Sequence, residues 1–185
     1  MSRGIRWLAV VLLSMALTSC GSKGSTADLF IQVQNVPQPS FQYEDSDGCR
    51  DINIYASNHD GTELLVVWAD KEKLGVGALP KTFDLAATPE QVLSVSVDIY
   101  PQKPKHFPYC TDIYDPENEN RVRWTARSGK VTITAAKPDA GAANSNRTYR
   151  AKVELENAAF DDEHGNRVIC PKTITIEATV GWLPG

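Results

Sequence analysis

The sequence predicts an all-β fold, a single antiparallel β-sandwich, on three grounds. Apolar and polar residues alternate along several short segments, as they do in strands with one face buried and the other in water. Clusters of Gly, Pro, Asn, Asp and Ser separate those segments at short intervals. No stretch after residue 20 sustains the 3.6-residue apolar period of an amphipathic helix.

In chain order, Leu29, Ile31 and Val33 share one face of a first strand, with Gln32 and Gln34 opposite. Pro37 and Pro39 end it, since neither can donate to a ladder, and residues 41–48 read as an acidic, aromatic loop. A hairpin follows, with Ile52 and Ile54 on one arm, Asn58, His59, Asp60 and Gly61 in the turn, and Leu65, Val66, Val67 and Trp68 on the other arm. Residues 70–81, holding Gly75, Gly77 and Pro80, read as a connector. Thr88, Pro89, Glu90 and Gln91 spell the reciprocal cap of a helix start. Leu93, Val95, Val97 and Ile99 alternate directly afterwards, so the expectation is one helical turn running into a strand.

Residues 101–120 form the longest irregular stretch, with Pro101, Pro104, Pro108 and Pro116 among His106, Phe107, Tyr109 and Tyr114. Loops of this length in a compact domain are usually functional or disordered. Residues 122–136 read as a second hairpin turning at Ser128 and Gly129, with Val131 and Ile133 facing the core. After a small-residue loop at 137–146, Tyr149, Ala151, Val153 and Leu155 alternate with Arg150, Lys152, Glu154 and Glu156, whose charges must face water. An acidic turn at 161–166 contains Gly165, and Ile174, Ile176, Ala178 and Val180 make a last strand. Each alternation needs only one buried face, which favours a two-layer sandwich, immunoglobulin-like or similar, over a partly open barrel.

The chain begins differently. Arg3 and Arg6 precede an apolar run at 7–17, and Leu17, Thr18, Ser19 and Cys20 close it. These are the parts of a secretory signal, and the run is shorter than the roughly 20 apolar residues of a spanning helix. Leu17-Thr18-Ser19-Cys20 resembles the lipobox of bacterial lipoproteins. The resemblance covers residues 1–20 and implies cleavage before Cys20, a diacylglyceryl thioether on its sulfur and acylation of the new amino group. Several acyl chains hold a protein stably on a membrane where one does not. Gly21, in place of the Asp that marks inner-membrane retention in enteric-type lipoproteins, resembles the pattern of those passed to the outer membrane. The expected organisation is therefore a lipoprotein signal peptide at 1–19, lipidated Cys20 and a short tether at 20–27, and the sandwich domain at 28–185. About seven tether residues reach at most ~25 Å, so the domain would lie against its membrane.

Without residues 1–19 the chain keeps 166 residues and 17 basic side chains against 23 acids, a formal charge of −6. That is one domain's length, able to bury a full core. The acidic balance lacks the clustered basic face of a nucleic-acid binder. With Cys20 lipidated, Cys49, Cys110 and Cys170 remain in an oxidising compartment, where a pair is expected to bridge. Cys49-Arg50-Asp51-Ile52 and Cys110-Thr111-Asp112-Ile113 are similar strings, which favours Cys49–Cys110; Cys170 stands as an alternative partner for either.

His59, His106 and His164 lie in separate turns, outside any metal-ligand or triad-like string, and neither a nucleophile elbow nor a phosphate loop is present. Residues 128–130 lack the earlier glycine of a phosphate loop and read as a hairpin turn. Acids gather at Glu44, Asp45, Asp47 and Asp51 and again at Asp161, Asp162 and Glu163. Asp45-Ser46-Asp47-Gly48 holds a fragment of a calcium loop without its closing Glu, so these acids read as solvated turn carboxylates, with no metal or cofactor expected. A leftover Cys170 is more often a buried structural thiol than a nucleophile.

Phe107, Tyr109 and Tyr114, with Tyr43, either present rings to a partner or fold back over the core. Trp68, Trp124 and Trp182 read as core or edge residues. The resulting expectation is a non-enzymatic outer-membrane lipoprotein acting in an envelope or surface assembly, held to the membrane by its lipid. Its partner-binding loop would contain His106, Phe107, Tyr109 and Tyr114. A carbohydrate-binding envelope module would use the same rings on a glycan. A hydrolase would need His106 or His164 beside an acid in a cleft.

Overall fold

The computed structural model describes residues 36–136 and 148–181, all within the compact unit Asn35–Gly185. Cys20 and its tether, the strand expected around Ile31, the loop 137–146 and Trp182 lie outside the described residues.

The fold is all-β. Its strands are β1 (Asp45–Cys49), β2 (Asn53–Ser57), β3 (Glu63–Ala69), β4 (Lys81–Asp84), β5 (Leu93–Ile99), β6 (Val122–Ala136), β7 (Tyr149–Asp161), β8 (Arg167–Ile169) and β9 (Ile174–Val180). Every pairing among them is antiparallel, and all belong to one hydrogen-bonded sheet ordered β1-β2-β3-β5-β6-β7-β8. β4 pairs with the second half of β6, and β9 with the first half of β7. Among the described residues helix is confined to α1 (Lys71–Leu74) and a 3-10 turn at Pro116–Glu119.

The hairpin read around Asn58 is β2–β3, and the side-chain carbonyl of Asn58 accepts from the backbone N–H of Thr62 and Glu63. The second expected hairpin is corrected. β6 runs unbroken for 15 residues, and Ser128 and Gly129 lie inside it at a register shift against β7. Gly129 has φ +121°, and a Cβ there would stand 2.7 Å from the Cα of Ala158 and 2.9 Å from the carbonyl of Glu156. The glycine therefore marks a bulge where two backbones approach, not a chain reversal.

Three further segments became strands, among them β8, a three-residue strand between the acidic turn and β9. β1 falls in the stretch read as an acidic loop, because its first three residues are exposed and carry no apolar alternation. β4, within the expected connector and just after it, is an edge strand that buries almost nothing. The cap-like string before β5 does make a single turn, with the N–H groups of Val92 and Leu93 donating to the Pro89 carbonyl at 2.9 and 3.1 Å.

β1, at one end of the sheet, lies against β9, the strand paired with β7. Ser46 Oγ on β1 donates to the Glu177 carbonyl on β9 at 2.7 Å, and Gly48 packs so closely that a Cβ would lie 2.7 Å from Val180. Ile54, Val67, Val97, Trp124, Ile133, Val153 and Val180 thereby join one enclosed apolar core. Full burial of such side chains contributes roughly 1.5–3 kcal/mol each. The segment leading into β1 is tied to the same body: Trp124 Nε1 donates to the Pro37 carbonyl at 2.9 Å, and the buried Glu63 carboxylate accepts from Ser40 N, Phe41 N and the Tyr43 hydroxyl.

Candidate functional site

β3 is buried on both faces, which a strand with only one covered face cannot be. Leu65, Val67 and Ala69 point into the main core, whereas Leu64 and Val66 join a separate cluster with Tyr100, flanked by Tyr55 and Tyr109. What covers this outer face is the loop 101–120. Antiparallel register places Tyr55, Val66 and Ser96 in one cross-strand row and Ser57, Leu64, Asp98 and Arg123 in the next. The loop lays Phe107 against Tyr55 at a ring separation of 4.4 Å and Tyr109 beside both rings at 6.4 Å. Such aromatic pairs contribute about 0.5–1.5 kcal/mol beyond their buried area.

Beneath the loop lies an ion cluster. Asp98 is fully buried and takes two hydrogen bonds from Arg123, Nε to Oδ1 at 2.6 Å and Nη2 to Oδ2 at 2.7 Å. The Tyr109 hydroxyl donates to the same carboxylate. Arg121 Nε stands 3.0 Å from Oδ2, off the hydrogen-bonding direction, and supplies charge to the pair. A buried carboxylate persists only when charge and hydrogen bonds replace its hydration, and here Tyr109 and two arginines do so. Hydrogen bonding to Asp98 raises the Arg123 pKa against its desolvation. Burial, then the Asp98 charge, raises that of Tyr109, and the same two causes push Tyr100 up to about 12.

The loop is fastened at several further points. The expected bridge is present: Cys49 and Cys110 are disulfide-bonded with Cα atoms 5.7 Å apart. Asn118, nine-tenths buried, donates from Nδ2 to the His106 carbonyl at 3.1 Å and so joins the two arms of the loop. Arg121 Nη1 donates to the Asn118 carbonyl at 2.6 Å. Asp115 accepts from Glu117 N to cap the 3-10 turn, and Thr111 Oγ1 accepts from Ile113 N.

These fastenings separate the four residues read as a contact surface. Tyr109 is turned inward onto Asp98, and Phe107 lies on Tyr55 with 39 % of its surface exposed. His106 is exposed. Tyr114 projects with 75 % exposure, and Ile113 beside it, which the sequence reading passed over, is 57 % exposed. Asp98, Arg121, Arg123 and Tyr55 were also missed, since an acid on the polar side of an alternating strand ordinarily faces water.

The other candidates lie elsewhere. Asp45, Ser46, Asp47 and Gly48 are extended in β1, so the tight turn of a calcium loop is not formed there. Among the described residues no three His, Cys, Asp or Glu side chains gather as a metal would require. Exposed His59 pairs with Glu44 at 2.9 Å, which raises its pKa, and His164 lies 3.5 Å from Glu163 on the β7–β8 turn. Cys170 is a free, buried thiol that donates to the Lys172 carbonyl, and burial raises its pKa away from the reactive thiolate.

No family model, no curated protein and no solved structure matches this chain.

Proposed function

We propose that this chain is a non-enzymatic lipoprotein of the outer membrane, acylated at Cys20, whose loop 101–120 carries a contact for another envelope protein. One observation supports the contact above others. Ile113 and Tyr114 are both large, apolar and exposed, and they stand on a loop held by a disulfide, a buried ion cluster and its own turns. Exposed apolar groups at a fixed position are what recognition surfaces use. Prior ordering also lowers the entropy lost on association. The lipobox supplies the location, and an apolar knob on a membrane-tethered domain suits a neighbour held at the same surface.

Photo-crosslinking residues placed at Ile113 and Tyr114 in the native host, with Lys130 and Glu163 as surface controls, test the contact. The expected result is one shared product from the two loop positions and none from the controls. Equal labelling from all four, or none from any, rejects it. Intact-mass measurement of the membrane fraction tests the anchor, with acylated Cys20 expected as the first residue.

A further inference from the structure

A second feature of the same loop stands apart from its tip. Where the arms leave the sheet, residues 100–105 and 117–120 enclose a pocket of about 310 Å³. That is the small end of the range for ligand sites, roughly 300–1,000 Å³, which suits one ring and excludes an extended oligomer.

Two nearly buried polar side chains line it. Asn118 is 8 % exposed and lines the pocket, with its amide nitrogen donating to the His106 carbonyl at 3.1 Å. Tyr100 is 5 % exposed, and its hydroxyl makes no hydrogen bond in good geometry.

The rest of the lining specifies the chemistry. Pro101 and Pro104 offer C–H surfaces, and the Gln102 carboxamide sets a donor beside an acceptor, the pairing that adjacent hydroxyls of a sugar ring complement. Lys103 and Lys105 stand against the single acid Glu117, an excess of positive charge. The stem of Lys103 is seated over the β2–β3 turn, where a Cβ on Gly61 would lie 3.1 Å from its Cε. We propose that this pocket binds a single carboxylated pyranose, a hexuronate unit of a glycan, with its carboxylate toward Lys103 and Lys105 and its hydroxyls on Asn118 and Gln102. The site does not depend on a protein partner at Ile113 and Tyr114.

Saturation-transfer NMR on the full chain in detergent, with glucuronate as probe and glucose and acetate as comparisons, tests the assignment. Transfer to the glucuronate ring protons is expected, with glucose and acetate at least tenfold weaker. The exposed double variant Lys103→Glu/Lys105→Glu should weaken glucuronate at least tenfold. Asn118→Leu should do the same wherever its spectrum shows a folded chain. No transfer to glucuronate, acetate binding as well as glucuronate, or transfer unchanged in the lysine double variant would each overturn the proposal.

Discussion

The two faces of β3 are covered by different means. On the inner face, Leu65 and Val67 meet apolar residues from strands throughout the sheet, and the one buried acid of the strand, Glu63, sits at its first position. On the outer face, Leu64 and Val66 lie under a loop that aromatic stacking, a fully buried carboxylate with two arginines, and one disulfide all hold down. Hydrophobic burial is non-directional, so the inner core tolerates variation in detail. The outer cover has few apolar contacts and relies on directional bonds. It is therefore the part that positions a tip and a pocket, and the part that a few substitutions can release.

The largest effect is expected from Cys110→Ser. The bridge spans a sequence separation of 61, for which chain entropy gives about 4 kcal/mol. Denaturant melts should show that loss with the far-ultraviolet β signal of the folded state kept; a loss below about 1 kcal/mol would mean that the loop holds itself.

Asp98→Ala comes next, at about 3 kcal/mol, because it leaves two arginines facing each other under the loop. Leu65→Ala on the inner face should cost a similar ~3 kcal/mol. A double-mutant cycle with Cys110→Ser separates the faces: Leu64→Ala should couple to the disulfide and Leu65→Ala should not. Equal coupling at both positions would show that the faces melt as one.

Tyr109→Phe removes one charge-assisted hydrogen bond and should cost about 1–2 kcal/mol. Alkaline titration probes the same face. The pKa values of Tyr55 and Tyr100 rise from 10.0 to about 12 in the fold, chiefly through burial. Because the folded state holds these protons more tightly, their contribution is complete below pH 10.0 and is lost as pH rises to about 12. Residue-resolved NMR titration of Tyr55 and Tyr100 should therefore show tyrosinate only together with exposure of the outer face, and either of these two rings ionising near pH 10.0 without unfolding would contradict it.

The smallest effect on stability belongs to the tip. Ile113→Ser with Tyr114→Ser should stay within about 0.5 kcal/mol while abolishing capture of the same product by a photo-crosslinking residue placed at exposed Asp112.

Much of this was legible in the chain. β5, β7 and β9 show their alternation directly: Val95 and Val97, Val153 and Leu155, Ile174 and Ile176 are all buried at the expected spacing. The Cys49–Cys110 pairing was visible in a repeated string, though Cys170 competed for it. Gly129 shows the limit of such reading. Glycine beside a serine between two apolar runs spells a turn, and only the approach of Ala158 reveals that backbone contact, not reversal, is what demands it. Asp98 shows the same limit from the other side. Its place on the polar side of β5 was evident, but its burial depends on a loop whose landing point no local pattern encodes.

The sequence by itself determined the β class, most strands and which residues face the core, because period-two alternation is a property of neighbouring residues and survives any arrangement of the sheet. Tertiary structure alone decided that β6 passes straight through Gly129, that the first and last strands meet, and that Asp98, Tyr100 and Tyr109 lie under one loop. Those outcomes rest on contacts between residues far apart in the chain, and the free energy of such contacts depends on what else is already in place.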